Sequence, residues 1–177
     1  PAMHESLGVP LSCAGFITFI IATGTIISSL MSDRLTTRFG PGRVTAASVA
    51  LTAAALFGFS FSTQFWVLCL WAMPYGLGAG TVDAALNNYA ALHYTARHMN
   101  WLHGCWGLGA SISPFIMSQA LSSGHGWPSA YRTVGTLQAI LTAIVTVSLP
   151  LWNKTQKING GGSARLFDHV PTRAALA

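Results

Sequence analysis

Five apolar runs of bilayer length, at roughly residues 11–31, 44–62, 65–91, 101–121 and 130–152, constrain this chain more than anything else in it. A helix needs about 20 predominantly apolar residues to cross the hydrocarbon core of a membrane. Each run approaches or exceeds that length. The second is the shortest and the third the longest, so the spans should differ in tilt or in how far an end protrudes. A water-soluble helical protein would show polar stripes at a period near 3.6 residues, and these runs do not. The breaks between them are short: SDRLTTRFGPGR (32–43), STQ (62–64), HYTARHMN (93–100) and SSGHGWPS (122–129). The expected architecture is an all-α membrane protein with five transmembrane helices over residues 11–152.

Charge supports that reading. Asp, Glu, Lys and Arg make up 7% of the 177 residues, against roughly 25% in a soluble domain. So few charges cannot keep a globule of 18.7 kDa wetted, and lipid is the expected solvent for most of the surface. The net charge of +5 is spread over short breaks without a basic patch interleaved with aromatics, which argues against nucleic acid as a partner. Cys13, Cys69 and Cys105 are odd in number and far apart, giving neither a disulfide framework nor a zinc spacing. His93 and His98 have no third ligand near them in sequence, so no metal site is expected there. A nucleotide loop, a Ser-His-Asp pattern and a Cys-His pairing are all lacking, and enzymatic chemistry has no residue to rest on. No cofactor is implied.

Orientation follows from the basic residues. Arg34, Arg38 and Arg43 lie in the first break, Arg97 in the third, and Lys154, Lys157, Arg165 and Arg173 after the last run. With alternating spans all of these fall on one side, which the positive-inside rule makes the cytoplasm. Arg132, at the outer start of the last span, is the exception, and its long side chain can snorkel to the interface. Residues 1–10 would then be extracytoplasmic. The Gly-rich, basic segment 153–177 would be a mobile cytoplasmic stretch ending the chain on that side. No basic n-region precedes the first run, which is too long for a signal peptide. Opening on Pro1 rather than Met suggests a piece of a larger protein.

Three polar features interrupt this pattern. Asp83 sits inside the third run, where a central charge costs about 2.5–3.5 kcal/mol on insertion scales. Ala72, Gly76, Ala79, Asp83, Asn87 and Ala90 follow three- and four-residue steps and so share one helix face. Small residues on that face let a neighbour approach closely. Asp83 is then either a protonated group tied to another helix or a titrating group in a water-filled cavity, with Asn87 or Asn88 offering amides to hydroxyls. The fourth run opens NWLHGCWGLGASISP, placing Asn100, His103 and Trp106 at helical spacing. His103 could relay a proton or bind a hydroxyl, and Trp106 could be a flat platform for a sugar ring. Both residue types are equally at home as interfacial packing. In the first break, Asp33, Arg34, Arg38, Gly40 and Arg43 read as a solvated basic loop whose acid can pair with an Arg and whose glycines allow a tight turn.

That loop also carries a resemblance. An acid–Arg pair followed by Arg and Gly is similar to the loop between helices two and three of the major facilitator superfamily, with Ser29 where the family usually has Gly and the later glycine displaced to Gly40. The resemblance implies a latch between two transporter halves on the cytoplasmic face. DAALNNYAALH (83–93) resembles the fourth helix of the fucose-permease-like branch, an acid, three small residues and Asn. Asp83 falls on the family's acid, implicated there in proton-coupled sugar uptake, and Asn87 on its Asn. Asp replaces the family's Glu, and Asn88 stands where Pro is common. His103 and Trp106 fall on polar positions of the family's fifth helix. The five runs would be helices two to six, with the first helix and the carboxyl-terminal six-helix half missing. The implied protein is a secondary transporter of the bacterial inner (plasma) membrane that takes up a sugar or similar small polar solute, driven by the proton gradient. A drug or metabolite exporter of the same fold, loosely suggested by GLGASISP, and a non-transporting membrane sensor are the alternatives.

Overall fold

The computed structural model describes residues 7–10 and 12–160, and in them the chain forms five long helices and no strand. These are α1 (Cys13–Phe39), α2 (Pro41–Phe61), α3 (Phe65–His93), α4 (Ala96–Ser122) and α5 (Gly126–Gly160). α1, α2, α3 and the Gly126–Pro150 part of α5 are long and apolar enough to cross a membrane. α4 has the length, at 27 residues, but Asn100, His103, three glycines and four serines make it less apolar. None of its residues is buried.

Several boundaries differ from the sequence expectation for one reason. A helix leaving lipid keeps its backbone ladder as long as the backbone can hold it, so polarity alone does not end it. α1 therefore runs through Asp33, Arg34 and Arg38, which the sequence assigned to a loop. It stops only at Gly40, whose φ of 85° favours glycine and whose N–H still reaches the Thr36 carbonyl at 2.9 Å. Pro41 then starts α2, where its missing N–H costs nothing. Gly42 does not turn the chain: it is buried in α2, and a β carbon there would press on the Trp152 ring, 3.0 Å from its Cγ. α5 likewise continues through Gly160, making it the longest helix at 35 residues. The stretch 153–160, expected to be mobile tail, is helical; residues 161–177 and 1–6 lie outside the described residues.

α2 is the middle of the bundle. Two thirds of its apolar window is buried, far more than in any other span, because α3 covers one side and α5 the other. α1 runs parallel to α3, with Ile21 against Gly76 and Ser28 against Gly80. α2 runs antiparallel to both α3 and α5. Small residues make these approaches possible. A methyl carbon at Gly78 would lie 2.7 Å from Thr52 Cγ2 and 2.8 Å from the Ser48 carbonyl. The large side chains gather at the opposite end from the basic residues, where Leu56, Phe59, Leu68, Ala72 and Trp127 form the core and Ile21, Tyr75, Met117 and Tyr131 pack around them.

Polar groups join α2 to α5 inside the bundle. Gln138 Nε2 donates to Thr52 Oγ1 at 2.9 Å, and that hydroxyl donates to the Val49 carbonyl. At the end of the bundle away from the other basic residues Arg132 Nε donates to the Ser60 hydroxyl at 2.8 Å, and its guanidinium lies over the Phe61 ring. Arg132 is thus bound to the last turn of α2 at the interface, a closer tie than snorkelling alone. Intramembrane hydrogen bonds average about 0.6 kcal/mol because the unfolded helices find other partners in lipid. Gln138→Leu should therefore shift the detergent-denaturation midpoint only slightly, and a loss of several kcal/mol would mean that the link organises more than one helix pair.

Candidate functional site

The site expected around Asp83 is shaped by how α1 crosses α3. Gly24, Ser28 and Ser32, spaced by four, are the only buried residues of α1 among those described; Gly24 lies against Met73, Gly76 and Leu77, Ser28 against Gly80 and Ser32 against Thr81. This pairing of small residues lets side-chain hydroxyls of α1 reach α3 carbonyls: Thr25 to Gly76, Ser29 to Gly80 and Ser32 to Thr81, each at 3.3 Å. The contact drifts as it climbs. Thr81 is about 140° around the helix from Gly76, given 3.6 residues per turn. Asp83, two turns above Gly76, returns to the face that α1 has by then left. Its carboxyl is left exposed.

One turn further, Asn87 Nδ2 donates to Asp83 Oδ1 at 3.1 Å. The amide thus has its N–H toward Asp83 and its oxygen turned away. That oxygen is buried and, among the described residues, has no hydrogen-bond partner. The pair therefore offers a ligand an exposed carboxylate and a remaining amide N–H, while the amide oxygen is closed off from it. Such a set suits a ligand whose groups both donate and accept.

The other expected residues sit apart from this pair. Asn88 is exposed and about 140° around α3 from Asp83. His103 and Trp106 are exposed on α4, Trp106 at 73%. No hydrogen bond links them to Asp83 or Asn87 among the described residues. Ser111 and Ser113 return their hydroxyls to the Gly107 and Gly109 carbonyls of their own helix. Asp33, Arg34, Arg38 and Arg43 are exposed at the ends of α1 and α2, and no ion pair forms among them. The Asp33 carbonyl instead accepts from the Thr36 and Thr37 hydroxyls, and Arg38 lies over the Phe39 ring.

Sequence reasoning missed two features. Gln138 stands alone as an amide in the last apolar run, a signal as plain as Asp83. The second is a cavity of about 420 Å³ at the basic end, bordered by α3, α4 and α5. Tyr89, Tyr94, His98 and Trp152 line it, and no single stretch of sequence shows it. His93 stacks on Tyr89 beside it and bonds the Tyr89 carbonyl, while His98 pairs with Thr95.

Long parallel and antiparallel apolar helices define a multi-pass membrane protein. The chain belongs to the Major Facilitator Superfamily, whose family model matches residues 1–174. This is a family of membrane transporters. No curated protein and no solved structure matches the chain.

Proposed function

We propose that this chain forms helices two to six in the amino-terminal half of a proton-coupled transporter of the fucose-permease-like branch, taking up a sugar or similar small polar solute. The carrying observation is the Asp83–Asn87 pair: a carboxyl left uncovered within a span and an amide donating to it. A sugar hydroxyl can donate to the exposed carboxylate and accept from the remaining amide N–H. Intramembrane acids in such positions serve proton and substrate paths. The low apolarity of α4 fits a helix facing a watery cavity, so His103 and Trp106 are assigned to its lining with Asn88 at its edge. Alternating access would place the solute near the midplane between this bundle and the missing half. The exposed Asp33, Arg34, Arg38 and Arg43 around Gly40 would face that half at the cytoplasmic end in a bacterial inner membrane, with the carboxyl end of the chain inside. The proton gradient is the energy source, and no cofactor takes part.

The full-length transporter containing this chain, in proteoliposomes, tests the reading. Adding the transported sugar outside should alkalinise the external medium, and Asp83→Asn should abolish that signal. Sugar-driven proton movement that survives Asp83→Asn would sink the assignment, and sugar-driven acidification would indicate an exporter instead.

A further inference from the structure

The cavity at the basic end lies on the turn of α3 beyond the Asp83–Asn87 pair and plays no part in the mechanism above. Its volume of about 420 Å³ falls within the roughly 300–1,000 Å³ typical of small-molecule sites. Leu86 and Leu102 give it apolar surface, and Tyr89, Tyr94 and Trp152 give it aromatic surface. Tyr89 holds the cluster together, with ring centroids 5.2 Å from Trp152 and 6.1 Å from Tyr94. Aromatic residues of this kind collect at the membrane–water boundary, where one end is apolar and the other wet.

Charge decides what could occupy it. From residue 84 to residue 160 the sequence has no Asp or Glu, so a cationic ligand would find no counter-charge on α4 or α5. An anionic group would find Arg97, exposed and next in sequence to the lining His98. His98 engages Thr95 through Nδ1 at 3.0 Å, which leaves Nε2 as the ring nitrogen for a headgroup. Arg34, Arg38 and Arg43 mark the same end, so the cavity opens at the level of lipid headgroups. Basic pockets between spans on this side suit anionic lipid heads.

We propose that this cavity binds an anionic phospholipid, with acyl chain against Leu86, Leu102 and the rings, and phosphate at Arg97 and His98. Reconstitution of the full-length transporter into phosphatidylcholine vesicles containing a minor fraction of brominated lipid tests this. Bromine quenches nearby tryptophan, and the difference between wild type and Trp152→Phe isolates the Trp152 contribution. Brominated phosphatidylglycerol should quench that contribution several-fold more than brominated phosphatidylcholine. Arg97→Gln should reduce the preference about fivefold, the effect of one basic residue near the surface. Equal quenching by the two lipids, or a preference unchanged in Arg97→Gln, overturns the proposal. Competition by millimolar inorganic phosphate also overturns it, since the ligand would then be a free anion. Trp152 packs on Gly42, so Trp152→Phe could misfold. Native mass spectrometry of wild type and Arg97→Gln, which counts bound phosphatidylglycerol against phosphatidylcholine, then decides the question in the same two directions. Neither measurement uses solute or a proton gradient, so failure here leaves the Asp83 reading untouched.

Discussion

Gly76→Ala should lower the stability of the bundle by about 1–3 kcal/mol, the usual cost of forcing an added group into a packed site. Gly104→Ala should leave it unchanged or raise it slightly. Both substitutions add one methyl group to a helix interior, where alanine is intrinsically favoured over glycine by about 1 kcal/mol in water. Their surroundings differ. A methyl carbon at Gly76 would collide with the Ile21 carbonyl oxygen, which is backbone and has no rotamer to escape into. α1 would have to move out, lengthening the Thr25, Ser29 and Ser32 hydroxyl contacts with α3 together. At Gly104 nothing lies within 4 Å. Reversible denaturation of the purified protein in detergent gives both midpoints, and equal losses at the two sites would show that helix propensity rather than α1–α3 packing sets the cost.

The same glycines show how far the sequence could be read. Five helices of membrane length were legible because hydropathy reports directly on lipid contact. Their ends were not, since Met31 closes an apolar run while the hydrogen-bond ladder of α1 carries on to Gly40. The shared face of Ala72 and Gly76 was visible from spacing. Its counterpart, Gly24, Ser28 and Ser32, was passed over because serine reads as polar, although its hydroxyl can satisfy itself within a helix or bond a neighbour's carbonyl. Ser28 does the first, to Thr25, and Ser32 the second, to Thr81. The uncovering of Asp83 was beyond reach from one helix. It depends on the angle at which α1 crosses α3, which two stripes of small residues permit but do not print in either sequence. The pairing of Asp83 with Asn87 rather than Asn88 follows from helical geometry and could be read in advance. The cavity at the basic end needed three helices in place before its rings met.

Asp83→Asn should reduce solute accumulation by the full-length transporter to equilibration, while exchange of labelled for unlabelled solute across the membrane continues. The two readings of Asp83 part on this pair of measurements. If Asp83 carries the proton, a neutral amide imitates its loaded state permanently. Solute can still enter, cross and be replaced, because exchange needs no deprotonation, but no proton crosses with it and the gradient cannot be used. If Asp83 instead only ties helices together, Asn keeps hydrogen-bonding capacity of similar shape, and accumulation and exchange should survive or fall in parallel. Asn87 separates the remaining terms. Asn87→Leu removes the amide that donates to Asp83 Oδ1, so a solute oxygen loses the remaining N–H as its donor. Its main effect should be on affinity, a loss of roughly tenfold, which corresponds to about 1.4 kcal/mol and lies within the range for a hydrogen bond to or beside a charged group. Coupling should remain. Coupling lost in Asn87→Leu but kept in Asp83→Asn would reverse the two roles, making Asn87 the gatekeeper of the proton path and Asp83 a ligand for the solute.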